Sequence, residues 1–364
     1  MPQTASEAVY VDKADLTQAE TDEVSQNALA ADAIRLAIES FSITANNITY
    51  AVVGDGFGYW NFFPASADKG IVPVWGHAQV IETNHPQFAT GERVYGYLPM
   101  GTHLDVLPGK VSESGFVDIA EHRQPMSPIY NQYSRLAADP EHDPSREAER
   151  MLFGPLFKTG FLIESFMRRE GWFGADAVLM TSASSKTALG CASVAKHRSP
   201  ETKRIGLTST GNVDFVRGTG LYDEVLPYEA IAELQQRPSV VVDFAGNAKL
   251  LADIHTTLGD ALKYSCLVGA THIDERGSGL GGATDLPGPK PVLFFAPDHA
   301  VAAIKQSGSA AFGQDIAQSW HAFLQDAAGT VEIERHRGIA EAREAYQAMV
   351  AGTVDPAKGI IIEL

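Results

Sequence analysis

The stretch VLMTSASSKTALGCASVAKHR, residues 178–198, crowds Ser182, Ser184, Ser185, Lys186 and Thr187 between an apolar run and a helical pattern. It reads as a buried strand, a tight turn and a helix. A helix start presents N–H groups without intrahelical partners at the positive end of the helix dipole, and so suits a phosphate. Ser182 and Ser185 would add hydroxyl donors there, and Lys186 a full positive charge. The turn from Thr181 to Ala188 contains no glycine, so a phosphate would be held without the permissive backbone that usually lets such a turn close on it. A Walker A loop would need glycine at 180 and 185 ahead of the lysine. The chain has Met180 and Ser185, which excludes that anion nest. The alternative is a plain strand-to-helix connection that holds no ligand, and the residues alone leave both readings open.

The elements that must position this turn alternate in type. GPLFKTGFLIESFMRREG predicts an amphipathic helix stopped by Gly171, and DAVLMTS, KRIGLTST, SVVVDFAG, YSCLVGATH and KPVLFFAP predict strands. KTALGCASVAKHR and NAKLLADIHTTLGDAL predict helices, the second starting near Asn247, and DEVLPYEAIAEL gives a short strand followed by helical residues. Strands alternating with helices imply an α/β parallel sheet covered on both faces. Ahead of them, AIRLAIESFSIT, VPVWGHAQVIET and ERVYGYL predict short strands between turns, an all-β half from about 33 to 125 that suits a barrel. Residues 1–25 are polar and are expected to be loosely ordered, while ADPEHDPSREAER is expected to be a turn-rich connection. AQSWHAFLQDAA and IAEAREAYQAMVAG predict two late helices, and GIIIEL a closing strand.

Composition narrows the function classes. Hydrophobic residues make up 45 % and charged residues 20 %, a globular composition. The net charge of −17 repels phosphate backbones and anionic lipids, so neither nucleic acid nor a membrane is an expected partner. No apolar run approaches the roughly 20 residues of a bilayer span. The polar, acidic start lacks the features of a signal peptide. Cys191 and Cys266 lie in apolar segments and read as buried thiols. Together these give a cytoplasmic expectation.

The order of the parts, and several strings within them, resemble the medium-chain dehydrogenase/reductase superfamily. PQFATGERVYGYLP resembles a turn and strand of its N-terminal GroES-like domain, and GPLFKTGFLIESF the helix leading into its nucleotide domain. VLMTSASSKTALGCASVAK stands where zinc-free quinone reductases carry a strand, an A-x-x-G-x-x-G turn and a helix. SVVVDFAG and YSCLVGA resemble later strands of the Rossmann domain, and AREAYQAMVAGTVDPAKGIIIEL the closing helix and strand. NNITYAVVGDGFGYWNFFPA and TSASSKTA resemble more closely a branch known only as a domain of unknown function. The resemblance runs from about 35 to 364. It implies a GroES-like β-rich domain over 1–145 and about 325–364, returning around a Rossmann doubly wound parallel-sheet domain over 146–324.

What the resemblance implies for function is an NADP(H)-dependent oxidoreductase that reduces an activated C=C or C=O of a small, largely apolar substrate. Placed on the family's turn, the three glycine positions fall at Ser182, Ser185 and Ala188. The second Rossmann strand ends in Thr208, Ser209 and Thr210, where NAD selection uses an acid. A 2′-phosphate would meet hydroxyls there, with Lys186 or Arg217 in reach, so NADP(H) is expected rather than NAD. Thr159 in the entry helix, with Ser184, Thr187, Ala245 and Gly269, completes the expected coenzyme contacts.

No metal is expected. WGHAQV is similar to the G-H-E of zinc enzymes of this superfamily, but Ala78 follows His77 and no cysteine precedes Cys191. His77 alone cannot supply three zinc ligands and is expected to be a hydrogen-bonded strand residue. A proton donor then comes from the N-terminal domain. GYWNFFP offers Tyr59 and Asn61, and IYNQYSR offers Tyr133, with Tyr130 and Asn131 beside it; His103 is a weaker candidate. A hydrolase of the α/β type is excluded by the absence of any G-x-S-x-G. A non-redox lyase and a non-catalytic ligand-binding protein on the same scaffold stay open. The resemblance also implies a homodimer, with KPVLFFAP as the pairing edge.

Overall fold

The computed structural model describes residues 6–268, 286–355 and 357–364. In chain order the first half holds β1 (Glu7–Asp12), β2 (Ala19–Glu23), β3 (Ile34–Ile43), α1 (Ala45–Val52), β4 (Lys69–Ile71), β5 (Pro73–Thr83), β6 (Arg93–Pro99), β7 (His103–Val106), β8 (Pro108–Gly109), β9 (Gly115–Asp118) and β10 (Gln132–Arg135). Residues 7–23, expected to be loose, are not. β1 and β2 form an antiparallel hairpin that adds to β4. Val9 and Val11 of β1 are fully buried. The polar residues around them are the solvent face of a hairpin, an alternation too short to stand out in composition.

α2 (Glu147–Arg169) follows. It begins inside the segment expected to be a connection, with Glu147 and Glu149 in its first turn, where acids complement the dipole. The second half then runs β11 (Ala177–Met180), α3 (Lys186–Arg198), β12 (Lys203–Thr208), α4 (Val213–Gly218), β13 (Glu224–Pro227), β14 (Ser239–Asp243), α5 (Ala248–Leu258), β15 (Leu262–Leu267), β16 (Val292–Leu293), α6 (Ala296–Ser307) and α7 (Ser309–Asp326). The chain closes with β17 (Glu332–Arg337), α8 (Gly338–Val350) and β18 (Lys358–Glu363). β17 was not foreseen: its alternation is masked by charged residues on both faces.

The chain divides into two compact units, Met1–Leu152 with Val331–Leu364, and Phe153–Thr330. The first holds the three-stranded sheet β2-β1-β4 and a sheet of order β17-β18-β3-β5-β6-β10-β9-β8, with β7 on β3. The second holds a parallel sheet of order β13-β12-β11-β14-β15-β16. β14 (SVVVD) is buried at every position, as expected of a central strand covered on both faces. β16 is an edge strand and much shorter than the KPVLFFAP segment; Val292 and Leu293 are about half exposed. Both cysteines are free and buried. Among the described residues no helix is long and apolar enough to cross a membrane. The architecture is the α/β one expected, a β-rich unit plus a doubly wound parallel sheet.

Candidate active site

β11 delivers the chain to the turn, and α3 leaves it. Ser182, at the first glycine position, takes the left-handed conformation that a glycine would, with φ of 48°. Its N–H donates to the Tyr228 hydroxyl at 3.1 Å, and its carbonyl accepts from the Ser185 N–H at 2.7 Å. Ser185 is the N-cap of α3 and accepts from the Ala188 N–H at 3.3 Å. The turn therefore closes as a glycine turn does, at a conformational cost of about 1–2 kcal/mol for a non-glycine residue. Helix-on-helix closeness comes from glycines elsewhere. A Cβ on Gly160 of α2 would lie 2.5 Å from the Cys191 nitrogen, and one on Gly190 of α3 would lie 3.1 Å from the Phe157 Cα.

Beneath the turn, Thr181 and Asp243 tie β11 to β14. The Thr181 hydroxyl donates to Asp243 at 2.6 Å and accepts the N–H groups of Phe244 and Ala245. Asp243 also accepts the N–H groups of Ala245 and Gly246. Burial raises its pKa, against these hydrogen bonds. Lys186 is the first residue of α3. It forms no hydrogen bond or ion pair among the described residues, and desolvation lowers its pKa. A half-buried ammonium without a counter-ion, at the positive end of a helix, suits a diphosphate.

The other expected coenzyme residues are placed as follows. Ser184 accepts from the Asn212 amide at 3.3 Å, and Thr187 is half-buried beside Lys186. Ser209 is exposed just past β12. Arg217 is exposed on α4, 3.9 Å from Asp214 and with a long bond to the Val225 carbonyl. Thr159 is half-buried on α2 and donates to the Pro155 carbonyl of its own helix. The Ala245 N–H is already spent on Thr181 and Asp243, leaving it a supporting place rather than a free donor. Gly269 lies outside the described residues. Tyr228 and Glu229, which sequence reading missed, come to the same end of the sheet: the Thr210 hydroxyl donates to Glu229 at 3.0 Å. No local signal marked them, because β13 brings them from another βα unit.

The first unit carries a tyrosine cluster. The Tyr59 and Tyr130 hydroxyls are 2.7 Å apart. The Tyr50 ring lies 4.6 Å from that of Tyr59, and Tyr97 and Phe62 pack edge-on around them. The Tyr50 hydroxyl accepts from Asn46 at 2.6 Å and from the Trp75 indole at 3.2 Å. Burial raises the pKa of Tyr59, opposed by its bond to Tyr130, so the phenol stays protonated and able to donate. Tyr50 was not among the sequence candidates; as an aromatic on an amphipathic helix it carries no local mark of chemistry.

Tyr133 and Asn61 stand apart from that pair. Tyr133 is fully buried, stacked on Phe116, and its hydroxyl donates to the Tyr97 carbonyl at 2.6 Å and accepts from Arg123 at 3.0 Å. Burial pushes its pKa up to about 12. A Cβ on Gly96 would lie 2.3 Å from its ring, so the strand beneath is shaped to hold it. Its place is in the framework, with the Arg123–Asp118 ion pair. Asn61 is exposed. His103 is half-buried with a ring nitrogen 2.8 Å from the Thr102 hydroxyl. His77 departs from expectation: it lies on β5, but neither ring nitrogen has a hydrogen-bond partner. Packing on all sides, including the Tyr95 ring at 5.1 Å, leaves the ring no polar neighbour in reach. Among the described residues no group of three or more His, Cys, Asp or Glu is placed to hold a metal ion.

The family described as "Protein of unknown function (DUF2855)" matches residues 41–355. The chain belongs to that family. No curated protein matches it. Solved structures do match this DUF2855 chain along its length. CurA in complex with NADPH from Vibrio vulnificus is 13% identical, with a TM-score of 0.62 and 98% of each chain covered. The 2-enoyl thioester reductase Etr1p/Etr2p heterodimer from Candida tropicalis is 13% identical, with a TM-score of 0.59 and 100% of each chain covered. The quinone oxidoreductase from Coxiella burnetii is 11% identical, with a TM-score of 0.57, 99% of this chain and 100% of its own covered. At such identity the likeness establishes the fold, the two-domain one that the sequence resemblance implied.

Proposed function

We propose that this DUF2855 protein is an NADP(H)-dependent reductase of an activated C=C or C=O in a small, largely apolar substrate, working without zinc. The observation that carries the reading is Lys186, an uncompensated cation at the start of α3, on a turn that holds Ser182 in a glycine conformation. A nicotinamide coenzyme supplies hydride when bound. On this reading Lys186 and the start of α3 hold its diphosphate, with Ser182, Ser184, Ser185 and Thr187 around them, and Arg217 faces a 2′-phosphate. Tyr59 gives the proton from its hydroxyl, and Tyr130, bonded to that oxygen, steadies it and shares the charge left behind. Aromatic rings pack against both phenols. The exposed apolar edge at β16 supports a homodimer, and two free buried thiols suit the cytoplasm.

One observation favours the non-catalytic reading: Tyr228 already occupies the Ser182 N–H, as it would in a turn that no longer meets a ligand. NADPH fluorescence on titration separates the two. Saturable binding with turnover only when an enone or quinone is added supports the reductase. Binding without turnover on any such acceptor supports a ligand-binding protein, and no binding at millimolar coenzyme sinks the proposal.

A further inference from the structure

The end of β12 is neutral in sequence, but it is not neutral in space. Thr210, two residues past β12, donates its hydroxyl to Glu229 at 3.0 Å. Glu229 follows Tyr228, whose hydroxyl meets the turn at Ser182, so one short connection after β13 touches both the turn and the end of the second strand. Tyr228 and Glu229 also line a 520 Å³ recess, together with Asn247 and Leu250 at the start of α5. Glu229 forms no ion pair among the described residues, and its one hydrogen bond is the one from Thr210. An uncompensated carboxylate thus stands where a dinucleotide fold reads the adenosine ribose. Lys249 of α5 lines the same recess but is paired with Asp253 at 2.7 Å, while Lys186 and Arg217 stand on α3 and α4.

We propose, resting on the coenzyme reading above, that Glu229 sets the preference between the two nicotinamide coenzymes. Its free carboxylate oxygen accepts from a ribose hydroxyl and repels a 2′-phosphate, against the pull of Lys186 and Arg217. The chain therefore prefers NADP(H) over NAD(H) only narrowly, although the end of β12 carries no acid of its own. A dianionic phosphate within about 6 Å of a carboxylate in water loses about tenfold in affinity.

The test is fluorescence titration of the whole protein with NADPH and with NADH. The wild type is expected to bind both, within about tenfold of each other. Glu229→Gln, which keeps the Thr210 contact, is expected to tighten NADPH about tenfold and to leave NADH unchanged or weaker. Glu233→Gln, at an exposed acid of the same stretch, is the control for net charge and is expected to change neither. Equal shifts for both coenzymes, no shift in Glu229→Gln, or the same shift in Glu233→Gln would overturn the assignment while leaving the coenzyme reading intact. A wild type that binds neither coenzyme overturns both.

Discussion

The Tyr59 hydroxyl lies 2.7 Å from that of Tyr130, inside a cluster of aromatic rings in the first unit. One phenol must donate to the other, so the pair has a single spare proton to give outward. Tyr59→Phe is expected to lower turnover about a hundredfold, the usual scale for loss of a general acid. Tyr130→Phe is expected to cost less, and to move the alkaline limb of the pH–rate profile. Burial raises the Tyr59 pKa above the ordinary phenol value and the Tyr130 bond lowers it. Activity falls as pH rises through that pKa, so removing Tyr130 shifts the fall to higher pH. A profile unmoved in Tyr130→Phe would remove Tyr59 from the donor role.

Lys186 gives a binding prediction. Its pKa lies below the ordinary lysine value because it is desolvated. The cation that attracts a diphosphate is therefore present at low pH and lost as pH rises through the lowered value, earlier than for an exposed lysine. Coenzyme affinity measured by calorimetry is expected to weaken over that interval. Lys186→Met is expected to bind about tenfold more weakly, and to show no such pH dependence. A wild-type affinity that stays flat through the alkaline range would show that this charge does not hold the ligand.

Ser182→Gly tests the turn itself. The left-handed φ of 48° costs a serine about 1–2 kcal/mol, and glycine gives back about half of that in unfolded-state entropy. A net gain of about 0.5–1 kcal/mol in urea unfolding is expected, with the coenzyme bound at least as well. A destabilised variant would mean that the Ser182 side chain holds the turn by a contact that outweighs the strain.

His77 predicts acid sensitivity. Burial pushes its pKa down to about 3 from 6.5, so the unfolded chain binds a proton there that the folded chain refuses. The stability it contributes is complete above about pH 6.5 and is lost as pH falls towards 3, at up to about 1.4 kcal/mol per pH unit. His77→Leu is expected to flatten the fall in the urea midpoint between pH 7 and pH 5. If wild type and variant lose stability in parallel over that interval, the acid sensitivity comes from other groups.

Much of the fold could be read along the chain. The all-apolar VVV of β14, the N-cap Asn247 of α5 and the helical spacing of α3 are local patterns, and each element formed where its pattern stood. β1, β2 and β17 were missed because their half-polar alternation is short and is completed only by a partner strand. The turn itself was legible in Ser182, Ser185 and Lys186, since a helix start is made by its own sequence. Its surroundings were not. Tyr228 and Glu229 reach it from beyond β13, and Tyr130 reaches Tyr59 across a long stretch of chain. Sequence by itself determined which residues lie on a strand, a cap or a turn, because hydrogen bonding and apolar periodicity act between near neighbours. Only the tertiary structure decided which side chains face one another, which cation lacks a counter-ion and which hydroxyl is already spent, because burial and Coulomb interactions depend on distance in space.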